Sequence, residues 1–347
     1  MAVTVKPLTE RADAAWDAFV AALPAGTFFH RAAWRDVIAR AFGHGPLYAF
    51  AERDGAIVGV LPLFHKTSLL FGNALVSSPF CVYGGPLAAD DEAAAALAAY
   101  AADKMRACGA PSVEFRHGPA EAAPLADGWV EGPARYVTFR KPIAAEDEAN
   151  LQAIPRKQRA MVRKGIGNGL ASRVGASIEP FYRIYAESVR NLGTPVFSRR
   201  YFRLLLEIFA DCADILTVLD DGAPVAAVLN FYFRDEVLPY YGGGTERARL
   251  RAANDFMYWE VMRRAAARGV RLFDFGRSKL GTGAFSFKKN WGFSPTPLRY
   301  RYLLAEGAAI PDTNPLNPKY RLLIATWKRL PLALANVLGP PIVRGIG

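Results

Sequence analysis

Asp274-Phe275-Gly276-Arg277-Ser278-Lys279, followed by Lys288-Lys289-Asn290-Trp291, gathers an acid, several bases and a hydroxyl around one stretch of chain. Asp274 closes the apolar run Leu272-Phe273, so its carboxylate is placed to orient or deprotonate an amine, or to pair with Arg277. An amine nucleophile needs only to lose a proton, so no covalent enzyme intermediate is required. A second set is cationic. Arg156, Arg159 and Arg163 recur at i, i+3 and i+7 and share a helix face. No acidic residue lies between Asn150 and Ile178, and guanidinium groups capture phosphate through paired hydrogen bonds, so this face is expected to bind an anion. Tyr240 and Tyr241 alternate on one strand, which predicts one in the core and the other lining a cleft. Asn254 or Asp255 opens a helix and reads first as an N-cap.

Other chemistries are excluded by type and spacing. The three cysteines form no CxxC pair and the four histidines no HxxxH pair, so neither a metal site nor a disulfide framework is expected. No Ser–His–Asp or Cys–His arrangement appears. Asp274-Phe275-Gly276 spells a kinase triplet, but no glycine-rich phosphate loop or His-Arg-Asp accompanies it.

An internal repeat supplies the elements that must hold these residues. Trp34 opens a helix, then apolar strands flank the turn Asp54-Gly55; Tyr201 opens the same series around Asp221-Gly222. Tyr83-Gly84-Gly85 is echoed by Tyr241-Gly242-Gly243, and a helical stretch follows each. Gly109 precedes Glu114-Phe115 as Gly269 precedes Asp274-Phe275. Gly128-Trp129 with Pro133, Arg135 and Tyr136 matches Gly292-Phe293 with Pro297, Arg299 and Tyr300. The expected division is an N-terminal domain over 1–145, a C-terminal domain over 146–310 and a tail over 311–347. Between its matched positions the first copy has an Ala- and Pro-bearing loop, whereas the second has the polar stretch 276–291. Function tends to sit on loops held by a scaffold, so the site is expected in the second copy.

The chain has 347 residues and a formal net charge of +11, which divides into six unopposed bases between Asn150 and Ile178 and five between Thr313 and the end. With 52% hydrophobic residues it can bury substantial cores, so a disordered or fibrous protein is excluded. No signal peptide is evident and the apolar stretch Leu330–Val343 is short for a bilayer span, so a cytoplasmic protein is expected. The tail reads as a basic amphipathic segment with Trp327, fit to rest on an anionic membrane or to pack on the protein itself.

Tyr240-Tyr241-Gly242-Gly243-Gly244, Ala253 to Glu260, Phe273 to Ser278, and Phe287-Lys288-Lys289-x-Trp291-Gly292-Phe293 together resemble the FemAB-like (FemABX) family, in its PEP-CTERM/exosortase-associated branch. Pro155 to Lys164 fits the family's basic segment. The resemblance implies an α+β fold with mixed sheets, two tandem GNAT-like acyltransferase domains, and transfer of an acyl or aminoacyl group to an amine. It implies that Lys288, Asp274, Arg277 and Tyr241 act in catalysis. Arg156, Arg159, Arg163, Tyr240, Ser278, Lys279, Lys289 and Trp291 would meet the acceptor. Apart from the resemblance, Arg247, Arg249 and Arg251 are side chains able to hold donor phosphates, and with Asn254 they are the expected donor-binding residues. Lys288 occupies the family's Phe-Lys position, where an ammonium stabilises charge on a carbonyl or holds a phosphate. The co-substrate is an aminoacyl-tRNA or an acyl-CoA, with no tightly bound cofactor, and the acceptor a phosphate-bearing glycan or peptidoglycan-type precursor. Two other readings stand beside this one: an inactive GNAT-fold protein that docks a glycolipid or an exopolysaccharide/exosortase partner, and a nucleic-acid module drawn from charge alone, for which no specific DNA binding is expected.

Overall fold

Asp54-Gly55 and Asp221-Gly222 reverse the chain with φ of 53° and 79° in one case and 51° and 78° in the other, the left-handed pair that a two-residue hairpin favours. Each hairpin also shifts register at the same distance from its turn, at Ala51/Glu52 and at Val218/Leu219. At these hairpins the sequence repeat is therefore a repeat of structure, bulge included. The computed structural model describes residues 2–68, 72–118, 127–311 and 318–346, with backbone alone for 318–321.

The first repeat runs β1 (Thr4–Pro7), α1 (Asp13–Ala22), α2 (Trp34–Phe42), β2 (Gly45–Pro46), β3 (Ala49–Arg53), β4 (Ala56–Leu61), β5 (Leu63–Ser68), β6 (Gly72–Ser77), β7 (Leu87–Ala88), α3 (Asp91–Cys108), β8 (Ser112–Arg116), β9 (Trp129–Glu131) and β10 (Tyr136–Pro142). Two helices follow, α4 (Asp147–Gln152) and α5 (Arg156–Gly167). The second repeat contains β11 (Ala171–Gly175), α6 (Ile178–Leu192), α7 (Arg199–Ile208), β12 (Ala213–Asp220), β13 (Ala223–Phe233), β14 (Glu236–Gly244), α8 (Glu246–Leu250) and α9 (Ala253–Ala267). It closes with β15 (Leu272–Asp274), β16 (Ser278–Lys279), α10 (Gly283–Asn290), β17 (Pro295–Pro297) and β18 (Tyr300–Leu304). The tail forms α11 (Pro318–Trp327) and α12 (Leu332–Ile346). Of the expected tail, 312–317 lies outside the described residues, as do the side chains of Lys319, Tyr320 and Arg321; so does 119–126 of the first-copy loop.

Two compact units emerge. One joins Met1–Arg135, Pro297–Thr313 and Arg344–Gly347; the other joins Tyr136–Thr296 and Asn314–Val343. These part from the boundaries 1–145, 146–310 and 311–347 at the last strand of each repeat. β10 pairs with β15 (Arg140↔Asp274), whereas β18 pairs with β8 (Tyr302↔Glu114). Each final strand satisfies its backbone in the sheet of the other copy, an exchange that periodicity along the chain cannot reveal.

In the first unit, β1-β3-β4-β7 and β2-β5-β6-β8-β18-β9 form separate sheets. Pro62, without an N–H for a ladder, stands between β4 and β5, where the second repeat has the continuous β13. Leu61, Leu63, Leu75, Leu97, Val113 and Phe115 belong to its core.

In the second unit the sheet runs β11-β12-β13-β14-β15-β10-β16, with β17 on β10. Helices α6 and α9 both pack on β13 and β14. The run Gly242-Gly243-Gly244 follows from this closeness. A Cβ on Gly243 would stand 2.6 Å from the Ser188 Cβ, and one on Gly244 2.4 Å from the Asn254 Oδ1. The stretch 276–291, read as a loop, is largely ordered as β16 and α10. Thr282 caps α10, its Oγ1 accepting from the Phe285 N–H at 3.3 Å, and Phe285 and Phe287 pack on the core.

Candidate active site

β14 and β15 run parallel and pair at Glu236↔Leu272 and Val237↔Phe273. Their registered pairing ends there, which leaves a gap in the ladder beside the rest of β14. On the other edge of β14 the register to β13 shifts between Leu229↔Tyr241 and Asn230↔Pro239, so Tyr240 is an extra residue in a β-bulge. The bulge overturns the simple alternation of Tyr240 and Tyr241: their ring centroids lie 4.7 Å apart, nearly perpendicular. Tyr241 is buried, its hydroxyl 2.8 Å from that of Tyr201, among Tyr185, Phe197 and Phe202. Burial pushes its phenol well above the usual value. Tyr240 is half-buried, and a Cβ on Gly276 would stand 3.8 Å from its ring. The Tyr240 ring thus stands against the Gly276 turn beyond the last β14–β15 pair.

That turn is held from both sides. The Asp274 Oδ1 accepts from the Gly276 N–H at 2.6 Å and from the Thr138 hydroxyl at 3.3 Å. Its Oδ2 lies 3.3 Å from the Arg140 Nε, and Arg140 also pairs with Glu236. Asp274 thus pairs with Arg140 from the exchanged strand, and the Arg277 guanidinium lies 4.7 Å over the Tyr136 ring. Burial raises the Glu236 carboxyl, and the neighbouring Arg140 charge opposes that rise. Lys288, from α10, donates to the carbonyls of Phe275 (2.6 Å), Gly276 (3.1 Å) and Arg277 (3.1 Å). Burial lowers its ammonium to about 7, Arg277 adding to the fall and Asp274 opposing it. Gly276 itself has φ +64°, the left-handed conformation that suits glycine.

The remaining expected residues fall in three places. Beside the turn, Ser278 is buried with no hydrogen-bond partner for its hydroxyl among the described residues, Lys279 is half-buried and Lys289 exposed. Trp291 is core: fully buried, it donates to Asp255 at 3.1 Å, and Gln158 from α5 donates to the same carboxylate. On α5, Arg156 and Arg163 are exposed with Lys157 and Lys164, without an ion pair among the described residues; Arg159 leans on Gln152. Next to α9, Arg247 and Arg251 both bind Asp220 and hold its carboxyl below the usual range, leaving Arg249 exposed. Asn254 is not the cap of α9; that position is Ala252 at φ +57°, and Asn254 packs on Gly244. Sequence reasoning missed Thr138, Arg140, Glu236 and Tyr201. Only Tyr201 carried a signal, as the aromatic that opens the second repeat.

The first repeat has the same parallel pair, Leu75↔Val113 and Val76↔Glu114. Its gap is filled. Arg116 stands where Gly276 stands, pairs with Glu114 at 2.7 Å and donates to the Cys81 carbonyl at 3.0 Å. The Gly85 N–H bonds the Arg116 carbonyl at 2.8 Å.

Residues 151–289 match the family model of the acetyltransferase (GNAT) domain. FemX is similar in structure, with 16% identity, a TM-score of 0.63, and coverage of 87% of this chain and 97% of that one. A tandem GNAT protein from the clavulanic acid biosynthesis pathway has 13% identity and a TM-score of 0.55 over 88% of this chain and 100% of its own. The fold is two GNAT domains in tandem. A C-terminal domain named for lysylphosphatidylglycerol synthetase, from Agrobacterium fabrum, has 12% identity and a TM-score of 0.54, over 84% of this chain and 91% of that one. No curated protein matches the sequence. Among the described residues no helix is long and apolar enough to cross a membrane, and no three His, Cys, Asp or Glu side chains cluster as metal ligands.

Proposed function

We propose that the protein is a FemAB-like N-acyltransferase of the PEP-CTERM/exosortase-associated branch. It transfers an acyl or aminoacyl group to an amine of a phosphate-bearing cell-envelope or exopolysaccharide precursor. The observation that carries this reading is the end of the β14–β15 ladder after Val237, next to a bulge on the β13 side of β14, against hydrogen bonds across the matching place in the other repeat. The donor, an acyl-CoA or an aminoacyl-tRNA, lays its acyl end in the gap along the edge of β14 that β15 leaves after Val237. Backbone dipoles at the bulge stabilise the oxyanion as the amine attacks the carbonyl carbon. The tetrahedral intermediate collapses, the carrier leaves, and the amine proton passes to solvent or to a neighbouring base.

Lys288 and Asp274 act here as positioning residues, because their hydrogen bonds go to the turn that faces Tyr240. Ser278 offers a buried hydroxyl to the substrate. Arg156 and Arg163 hold acceptor phosphate, and Arg249 is the donor-side cation without an ion pair among the described residues. The N-terminal repeat serves as a non-catalytic copy. Mass spectrometry of envelope glycan from a strain lacking the protein tests the reading. One acyl mass should disappear and return with the wild-type chain but not with Tyr240→Ala; an unchanged glycan profile would remove the proposal.

A further inference from the structure

The outward side of α12 carries no charge before Arg344. From Leu330 to Val343 the sequence has no acidic residue, no basic residue and no histidine. Packing divides this run into two faces. Ala335, Gly339 and Val343, at i, i+4 and i+8, are buried, and a Cβ on Gly339 would stand 2.9 Å from the Val196 nitrogen. Leu334, Val337 and Leu338, at i, i+3 and i+4, are 44%, 70% and 43% exposed. A helix facing water ordinarily sets polar side chains on that side. Leu322 and Leu323 of α11 are exposed too, as is Leu192, next to the Gly193 on which Ile324 and Lys328 pack.

Cations flank the apolar face. Lys328 and Arg329 precede it and Arg344 follows it; all are exposed, with no carboxylate partner among the described residues. No acidic residue occurs from Thr313 to Gly347. We propose that α12 lies flat on an anionic lipid bilayer, with Leu334, Val337 and Leu338 among the acyl chains and Lys328, Arg329 and Arg344 at the phosphate level. A nucleic acid would take the cations and leave the aliphatic face in water, whereas an anionic lipid surface takes both. The proposal does not depend on the acyl-transfer reading.

Co-sedimentation with vesicles tests it. The full chain is expected to bind phosphatidylcholine vesicles containing about a third phosphatidylglycerol, and pure phosphatidylcholine far more weakly. The exposed-face variant Leu334→Gln/Val337→Gln/Leu338→Gln should lose at least about tenfold in affinity. Lys328→Gln/Arg329→Gln should lose about fivefold or more on anionic vesicles and flatten the salt dependence. All five positions are exposed, and an unchanged melting curve would show that the fold is kept. Three results would overturn the proposal: no binding of the wild type to anionic vesicles, equal binding by the triple variant, or a wild-type dimer that the triple variant abolishes while vesicle binding is absent.

Discussion

Lys288 gives its three ammonium protons to the carbonyls of Phe275, Gly276 and Arg277, so its charge is bound into the wall of the gap. Its ammonium falls from 10.5 to about 7. Above about 7 the folded chain has released a proton that the unfolded chain keeps to 10.5, so the unfolded state binds more protons and stability rises with pH across that window. Denaturant titrations at neutral and alkaline pH should show wild type gaining on Lys288→Met as pH rises. Of the two tyrosines, Tyr241 is buried and Tyr240 half-buried. Tyr241→Phe removes the bond to Tyr201 and should cost about 1 kcal/mol of stability while transfer continues. Asp274→Ala strips an acceptor from Gly276, Thr138 and Arg140 together and should cost about 3 kcal/mol in urea unfolding. The residue types at the turn were legible in the sequence. Their partners were not, because Thr138 and Arg140 arrive on a strand from the other repeat, more than a hundred positions away.

At the scale of elements, the two hairpins and the helices that open at Trp34 and Tyr201 or follow each Tyr-Gly-Gly were legible from periodicity and Asp-Gly signals, whereas α10 was read as a loop. The bulge at Tyr240 was not legible, because one inserted residue leaves no mark on an apolar run. The run Gly242-Gly243-Gly244 was visible as letters, and its cause, the squeeze between α6 and α9, became visible only through packing. α5 presents Arg156 and Arg163 to solvent as its spacing required. Arg156→Glu/Arg163→Glu should raise KM for a phosphate-bearing acceptor at least about tenfold at low salt. The kcat should stay within about twofold if these groups only bind the acceptor. Steady-state kinetics over a salt series checks this, and the effect should shrink as salt screens exposed charges.

For the molecule as a whole, all four histidines belong to the unit built from Met1–Arg135, and none to the unit that carries the gap. Burial lowers His44 from 6.5 to about 4, its Nε2 lying 2.9 Å from the Arg344 carbonyl. The unfolded chain therefore binds more protons between those values, and stability falls as pH drops from 6.5 toward 4. His44→Gln should flatten part of that fall, read as the difference in Tm between pH 7 and 5. Tandem copies were legible in the sequence, but the crossing of their last strands was not, since a repeat names what is alike and not which sheet a strand completes. The ladder between β14 and β15 stops where hydrogen bonds cross the matching place in the first copy. Transfer of a labelled acyl group from acetyl-CoA or aminoacyl-tRNA to amine-bearing envelope precursors, by wild type and by Tyr240→Ala, tests the role of the gap beside β14 most directly. The wild type is expected to transfer from one of the two donors and folded Tyr240→Ala at least about tenfold more slowly; no transfer by the wild type from either donor, or equal rates in both proteins, would contradict an active site in the gap.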